Sequence, residues 1–277
     1  MKEILGCWGC GDLSELETLF GKVLSKASVT KGLQQFSYQN NHCVATFAGW
    51  NFTNNPSING KNILKKKHFC QVSLSAAGIY ELPDAVIKFE NDRLILSRDC
   101  FGRVPLYWFC QQQVIWFASR LQLLLLVLDS PQVSIPGFYG YNCFSYVPTP
   151  LTSVENIFTV PPGCEIVWQI NQNSAIQNIY EWVETENLIR DEKTAISQLQ
   201  TLLTNSIYRQ ISNLPDSEEV GVFLSGGLDS SVVAALLVEA GVKVKAYALD
   251  FGEYGVRDSS PLISQRCAIN SLSVYSL

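Results

Sequence analysis

The sequence predicts an α/β protein in two parts, residues 1–185 and 186–277, and three observations support this prediction. The first part is rich in short β-branched and aromatic runs that are separated by polar turns. In the second part a helical period is followed by a strand, a glycine-rich loop, a helix and another strand, which is the order of a parallel βαβ sheet. Hydrophobic residues make up 47% of the 277 residues and charged residues only 16%, which is typical of a globular protein.

Five runs in the first part have the composition and length of strands. They cover residues 43–50, 84–91, 93–99, 105–111 and 114–119. The tetrapeptide "ENDR" at 90–93 and the three glutamines at 111–113 predict hairpin turns between neighbouring strands.

The rest of the first part predicts two helices and two irregular segments. Apolar spacing indicates helices over 13–26 and 119–128, and the second of these is apolar enough to be a buried helix. The polar segment 54–69 is expected to be an exposed loop. The proline-rich segment 146–163 is expected to be an ordered connection.

The second part begins with a helical period over residues 191–212. A short buried strand at 219–224 follows, and "SSVVAALLVEAG" at 230–241 predicts a helix that ends at a glycine. The run 242–251 predicts the next strand, whereas 254–277 has no clear period and is left unassigned.

Charge, apolar length and cysteine count narrow the class of protein. A net charge of −5 gives no basic surface for nucleic acid. No apolar run is long enough to span a membrane, and the first ten residues lack a full signal peptide, so a cytoplasmic protein is expected. Nine cysteines, an odd number spread along the chain, are expected to be free thiols. Cys7 and Cys10 form a CxxC pair without the second pair that a zinc site needs.

The loop "LSGGLDS" at 224–230 has the composition of a phosphate site. Gly226 and Gly227 let the backbone turn sharply after the strand, and the following helix points its first amide groups at the loop. Ser225 and Ser230 add hydroxyl donors, and Asp229 could bind a Mg²⁺ that bridges phosphates. The loop is neither a Walker A nor a GxGxxG motif. The simpler alternative is an ordinary strand-to-helix turn with capping serines.

The same string resembles the SGGxDS motif of the PP-loop ATP pyrophosphatases, and three upstream segments resemble asparagine synthetases. These are "RDCFGRVPLYW" at 98–108, "FASRLQLLL" at 117–125 and "YVPTPLTSVENIFTVPPGCEI" at 146–166. The resemblance implies an α+β Ntn-type, glutaminase-like sandwich over 1–185 and the start of a PP-loop, Rossmann-like parallel-sheet domain over 186–277.

The resemblance also implies which ligands the second domain binds. ATP and Mg²⁺ would be the cofactors, and the loop would hold the pyrophosphate of ATP. Leu224 and Leu249, at the ends of the two strands, would line the adenine pocket through their backbone. No catalytic residue is assigned.

Two departures from the family pattern limit what is expected of the chain. The family's nucleophilic cysteine follows the initiator methionine, where this chain has Lys2; Cys7 and Cys10 would each need further trimming to become terminal. Glutamine hydrolysis is therefore not expected. The similarity is expected to fade near Tyr254–Val256, so the synthetase domain is expected to be truncated, by a frameshift or a split gene.

Three hypotheses follow. The first is an ATP-dependent amide ligase that adenylates an aspartate-like carboxylate and releases AMP and pyrophosphate. The second is an intramolecular amide ligase like β-lactam synthetase or the lasso-peptide cyclases, acting on a small molecule or a peptide. The third is an inactive remnant. A homodimer, or a separate chain that completes the synthetase domain, is left open.

Overall fold

The computed structural model describes most of the chain. The described residues are 3–27, 33–39, 43–50, 63–66, 69–74, 84–170, 174–181, 188–212, 214, 219–248 and 273–276. The chain divides into two compact units, Met1–Val183 and Glu184–Leu277.

Twelve described strands build the first unit. They are β1 (Glu3–Gly9), β2 (Leu33–Gln39), β3 (Val44–Trp50), β4 (Ile63–Lys66), β5 (Phe69–Leu74), β6 (Ala85–Glu90), β7 (Arg93–Arg98), β8 (Tyr107–Gln111), β9 (Val114–Ala118), β10 (Phe158–Thr159), β11 (Cys164–Gln169) and β12 (Ala175–Asn178). They form two six-stranded antiparallel sheets, with the strand orders β10-β8-β9-β1-β3-β2 and β12-β11-β7-β6-β5-β4.

The two sheets of the first unit pack face to face, because each strand places alternate apolar side chains on its inner face. Phe47 on β3 stacks on Phe89 on β6 with ring centroids 5.7 Å apart, and Phe89 also meets Phe117 on β9. These aromatic residues are fully buried, as are Leu94 and Leu96 on β7. The main core of the first unit therefore lies between the sheets.

Helices α1 (Leu13–Leu24) and α2 (Leu121–Leu125) cover the outer face of the first sheet, and α3 (Ile135–Phe144) follows α2. Phe20 of α1 stacks on Trp116 of β9 at 6.2 Å. Both predicted hairpin turns are confirmed: Asn91, Gln112 and Gln113 adopt positive φ, as tight hairpin turns require.

The second unit contains α4 (Glu192–Ile211), β13 (Glu219–Phe223), α5 (Leu228–Glu239), β14 (Lys243–Ala248) and β15 (Ser273–Ser276). The three strands pair in parallel in the order β13-β14-β15. One face of β13 and β14 packs against α5, where Val222, Val244, Ala234 and Leu237 are buried together. The predicted α/β class is confirmed, with two antiparallel sheets in the first unit and a parallel sheet in the second.

Four details differ from the sequence-based expectations. The helix expected over 119–128 is only five residues long, and Leu124 is its one fully buried residue. Within the expected loop 54–69, residues 63–66 form strand β4 and Phe69 begins β5, while residues 54–62, 67 and 68 lie outside the described residues. Helix α3 was not expected. Strand β15 lies in the stretch that has no clear period. The expected connection at 146–163 is irregular up to the short strand β10, as predicted.

None of the helices described in the chain is long and apolar enough to cross a membrane.

Candidate functional site

The serine-glycine loop, residues 224–230, joins β13 to α5 at the carboxyl ends of the parallel strands. Leu224 is buried, and its amide donates a hydrogen bond to the carbonyl of Tyr247 over 2.8 Å. That bond continues the β13–β14 pairing by one residue, after which the chain leaves the sheet. In open parallel sheets ligands bind outside this edge.

The two glycines of the loop make the turn from strand to helix possible. Gly226 has φ of +78°, a left-handed conformation that side chains disfavour. Gly227 is the N-cap of α5, and a Cβ placed on it would lie 3.3 Å from the Ser225 hydroxyl oxygen. A larger residue at Gly227 would therefore push on Ser225 and disturb the loop.

The serine hydroxyls of the loop form a loose web of hydrogen bonds. The Oγ atoms of Ser225 and Ser230 lie 3.2 Å apart, and the Gly227 amide donates to Ser225 Oγ over 3.4 Å. Ser230 Oγ donates to the Gly227 carbonyl, also over 3.4 Å. These distances exceed the usual ranges, which are roughly 2.5–3.0 Å for O–H···O bonds and 2.7–3.2 Å for N–H···O bonds, so the bonds are weak and a stronger acceptor could replace them.

Helix α5 begins with an uncapped N-terminus, unlike the other long helices that the structure describes. Asp12, Ser134 and Asp191 cap α1, α3 and α4 by accepting a bond from an amide of the first turn. Gly227 has no side chain to do this, and no side-chain cap is present on α5. The first amide groups of α5 and its positive dipole end are thus open to an anion.

Asp229 lies exposed in the first turn of α5. Within the described ranges, no three His, Cys, Asp or Glu side chains group closely enough to hold a metal by themselves. Mg²⁺ on a nucleotide commonly uses one or two carboxylates together with phosphate oxygens and water, so a lone carboxylate beside a phosphate site fits that ion.

The structure brings most of the predicted site residues together in this loop. Ser225, Gly226, Gly227, Asp229 and Ser230 lie within one turn at the start of α5, and Leu224 precedes them. Leu249, the other predicted adenine-pocket residue, lies outside the described residues.

Two aromatic residues beside the loop were not found from the sequence. Phe223 is 74% exposed on the sheet face opposite α5, and its ring centroid lies 6.3 Å from that of Tyr247. A Cβ on Gly221 would meet the Tyr247 ring at 3.3 Å, so this glycine leaves room for the ring. The period of two along 219–224 already places Phe223 opposite the buried Val222 and Leu224, and this pattern is the signal that could have found it.

The first unit does not offer Cys7 as a nucleophile. Cys7 lies in the middle of β1, paired in register with Thr46 and Trp116, and is fully buried. Burial raises the pKa of its thiol far above the usual value, so the thiolate needed for attack does not form near neutral pH. Cys10 lies exposed just beyond the end of β1. Lys2 lies outside the described residues.

The segment "RDCFGRVPL" forms a structural loop, residues 98–106, which we call the arginine loop. The buried Arg98 donates to the carbonyl oxygens of Val104 at 2.9 Å and Val160 at 2.6 Å, and also to that of Gly102. Burial lowers the pKa of its guanidinium, but the group stays charged because arginine titrates so high.

A second arginine ties the arginine loop to the preceding strands. Arg103 lies 2.6 Å from Oδ1 of the fully buried Asp84 and donates from Nε to Asp99 over 2.9 Å. The Asp99 carbonyl accepts from the amides of Gly102 and Gly163. This segment of the family-like motif thus holds the fold of the first unit together.

Two family models match parts of the chain, one in each unit. An asparagine synthase family model matches residues 198–268, and a glutamine amidotransferase domain model matches residues 71–181. The first match continues past Tyr254–Val256, so the expectation that similarity fades there is wrong.

Curated relatives match over about three fifths of the chain. Asparagine synthetase [glutamine-hydrolyzing] 1 of Bacillus subtilis is 24% identical over 168 residues, which are 60% of this chain and 26% of that protein. A putative asparagine synthetase [glutamine-hydrolyzing] 2 of Methanocaldococcus jannaschii is 27% identical over 175 residues, 61% of this chain and 33% of that protein. The chain thus spans about a quarter to a third of the length of these relatives.

Among solved structures, glutamine phosphoribosylpyrophosphate amidotransferase from B. subtilis covers 95% of the chain at 9% identity, with a TM-score of 0.37. The match covers 70% of that structure's chain.

Proposed function

Since the chain belongs in part to the asparagine synthetase family, we propose that it carries the pyrophosphate-holding loop of an ATP-dependent, amide-forming ligase. The reaction is adenylation of an aspartate-like carboxylate, in which a carboxylate oxygen bonds to the α-phosphorus of ATP and pyrophosphate leaves. An amine then displaces AMP to form the amide.

The open N-terminus of α5 is the observation that carries this proposal. A helix normally satisfies its first amides with a capping side chain, as α1, α3 and α4 do here. The glycine at the N-cap of α5 instead leaves those amides to a ligand, and the helix dipole favours a negative one. Pyrophosphate, as a leaving group that gains charge, is stabilised there more strongly as it departs.

The serine hydroxyls would complete the cradle for that anion. Ser225 and Ser230 bond each other only loosely, so both hydroxyls can turn toward phosphate oxygens without breaking a strong internal bond. The left-handed Gly226 keeps side-chain bulk away from the space above the first turn.

Asp229 would hold Mg²⁺ when the nucleotide is bound. Its carboxylate is exposed and lies on the same first turn as the open amides. Mg²⁺ supplies charge neutralisation for the phosphates. Asp229 alone would repel them, so its place in a phosphate site is consistent with a cation between the two.

Leu224 offers one backbone group to the adenine base. Its amide is already bonded to the Tyr247 carbonyl, so its backbone contact with the base would have to use its own carbonyl oxygen. A carbonyl can accept from the exocyclic amine of adenine. Leu249 remains a prediction for the same pocket.

We do not assign glutamine hydrolysis to Cys7, because its thiol is buried and its pKa is raised. We place the ligase activity in the cytoplasm, where the described cysteines, all free thiols, would stay reduced.

ATP–pyrophosphate exchange with aspartate tests the proposal. The unmodified chain should incorporate labelled pyrophosphate into ATP in a manner that depends on aspartate and Mg²⁺. Asp229→Ala should lower the exchange rate at least about tenfold, as expected for loss of a group that stabilises the reacting phosphates.

The matched control is Glu192→Ala, which removes the acidic residue from the first turn of α4 in the same unit. Its exchange rate should equal that of the unmodified chain. A folded chain that catalyses no exchange with aspartate would contradict the ligase proposal. Normal exchange by Asp229→Ala would remove the metal role of that residue.

A further inference from the structure

Two cysteines of the first unit stand at facing positions where β1 ends and β3 begins. Cys10 directly follows β1, and Cys43 directly precedes β3. The two strands are antiparallel, and the last pair of their register joins Gly9 to Val44. Each step forward along β1 is matched by one step back along β3. The next pair in the same register therefore joins Cys10 to Cys43.

The alternation of side chains places both thiols on the same side of the sheet. Trp8 on β1 and Ala45, its partner on β3, belong to the core between the sheets, whereas Cys7 belongs to the outer core under α1. Cys10 comes two residues after Trp8, so the alternation assigns it to the inner side as well. Cys43 is itself part of the inner core and is only 1% exposed.

The hydrogen bonds of β1 show that this pair is of the closer kind. The Ser119 amide donates to the Ile4 carbonyl over 3.0 Å, so the backbone groups of Ile4 face β9 and not β3. Cys10 lies an even number of residues further on, so towards β3 it takes a position without backbone hydrogen bonds. Residues in such pairs have Cα atoms about 4.5 Å apart. A disulfide needs roughly 4.4–6.8 Å, so the pair meets this requirement.

The two thiols differ in their access to solvent. Cys10 is exposed, so a small oxidant can reach it. Cys43 is buried, and its thiol donates a hydrogen bond to the Asn91 carbonyl over 3.2 Å, which holds its sulfur at this end of the core. An exposed thiol that reacts first, next to a second thiol that completes the reaction, is the arrangement of a reversible oxidation site.

Another exposed cysteine of the same sheet is too far away to compete. Cys110 lies on β8, and β9 separates β8 from β1. Two strand spacings of about 4.8 Å each put it beyond the roughly 7 Å limit between the Cα atoms of a disulfide. Among the exposed cysteines of this sheet, the register therefore favours Cys10 as the partner of Cys43.

We propose that Cys10 and Cys43 are a reversible oxidation site, at which hydrogen peroxide converts the two thiols to a disulfide. The sulfur of Cys10 attacks one peroxide oxygen, the O–O bond breaks, and water leaves, so that Cys10 becomes a sulfenic acid. The sulfur of Cys43 then attacks the sulfur of Cys10. The S–S bond forms, the S–O bond breaks, and a second water leaves with the thiol proton. The two thiols together lose two electrons, which reduce the peroxide.

The disulfide joins the two strands just beyond their last pair. It closes a covalent loop that contains α1 and β2, and such a loop restricts the unfolded chain. The oxidised first unit should therefore resist unfolding better than the reduced one. In a reducing compartment the two thiols stay free until peroxide is present, and a thiol reductant restores them by exchange.

Peptide mapping of the full chain after peroxide treatment tests the proposal. The remaining thiols are alkylated, and a non-reduced tryptic digest should contain the Cys10 peptide joined to the Cys43 peptide. Dithiothreitol should separate the two. The Cys10 peptide also contains Cys7, so Cys10→Ser is needed to tell these residues apart and should abolish the link. Cys110→Ser, an exposed cysteine of the same sheet, is the matched control and should keep it.

Urea unfolding followed by tryptophan fluorescence gives a second measurement. Peroxide should raise the unfolding midpoint of the unmodified chain and of Cys110→Ser, and it should leave that of Cys10→Ser unchanged. Cys10 is exposed, so its serine variant should fold like the unmodified chain. A folded chain in which peroxide does not link Cys10 to Cys43 would overturn the proposal. A link that persists in Cys10→Ser would overturn it too, because Cys43 would then be joined to a different cysteine.

Discussion

The arginine loop and the serine-glycine loop both follow the end of a strand, yet they bond their polar atoms in opposite ways. In the arginine loop, Arg98 and Arg103 donate to acceptors at 2.6–2.9 Å, and the acceptors include the fully buried Asp84. In the serine-glycine loop, the hydroxyls of Ser225 and Ser230 lie 3.2 Å apart, and the helix amides behind them have no cap.

This difference separates a loop that stabilises the fold from one that is suited to bind. Buried polar groups must find partners within the protein, because leaving them unsatisfied costs free energy. A loop at the surface can leave its donors to water, and a ligand can replace that water. Both loops resemble family motifs in sequence, and their hydrogen bonds distinguish one from the other.

The largest expected effect comes from removing the buried guanidinium of the arginine loop. Arg98→Leu leaves three carbonyl groups without their donor, which should lower the free energy of unfolding of the first unit by about 3 kcal/mol or more. All six tryptophans lie in residues 1–183, so tryptophan fluorescence during urea unfolding reports on this unit alone.

Two further variants provide reference values for the stability of Arg98→Leu. Arg98→Lys keeps the charge but loses the planar fork of donors. Its free energy of unfolding should therefore lie between that of Arg98→Leu and that of the unmodified chain. Arg120→Leu removes an arginine from an exposed pair with Glu3 and should cost less than about 1 kcal/mol. If Arg98→Leu were no less stable than Arg120→Leu, the arginine loop would not be a stabilising element of the first unit.

The smallest expected effect concerns the exposed ion pair of the second unit. A hydrogen bond from Lys245 lowers the pKa of the Glu219 carboxyl: Nζ of Lys245, on β14, lies 2.5 Å from Oε2 of Glu219, the first residue of β13. The ion pair stabilises the second unit above the pKa of an unfolded glutamate, about 4.3. This stabilisation is lost as the pH falls through the lower pKa that Glu219 has in the folded chain.

Hydrogen exchange of the β13 and β14 amides should therefore show protection that decreases as pH falls through this acid window. Glu219→Gln should remove that acid dependence, and high salt should weaken it because both groups are partly exposed. An identical pH dependence in the glutamine variant would show that the pair does not contribute.

The strand–loop–helix–strand order around the serine-glycine loop could be predicted because each piece has a local pattern. The buried run ending at Leu224, the glycine pair and the apolar helix after it are consecutive in the chain. The length of α2 could not be predicted, since the nearly continuous apolar run at 121–128 shows no clear period. Helix α3 gave no signal either, because its proline and two glycines are typical of a turn.

The long-range contacts could not be predicted from sequence patterns either. Arg98 bonds the carbonyl of Val160, 62 residues away, and nothing in either segment marks the pair. The open N-terminus of α5 could be predicted only in part. The sequence places Gly227 before the helix, but only the structure shows that α5 lacks the side-chain cap that α1, α3 and α4 have.

Calorimetric titration of magnesium pyrophosphate into the full chain tests the central claim most directly. The unmodified chain should bind the anion, and a Ser225→Ala, Ser230→Ala double variant should bind it at least about tenfold more weakly, since it loses hydrogen bonds to a charged group. Ser212→Ala, at the exposed end of α4, is the matched control and should bind as the unmodified chain does. Equal affinity in the double variant, or no binding by the unmodified chain, would contradict the assignment of the serine-glycine loop as a pyrophosphate site.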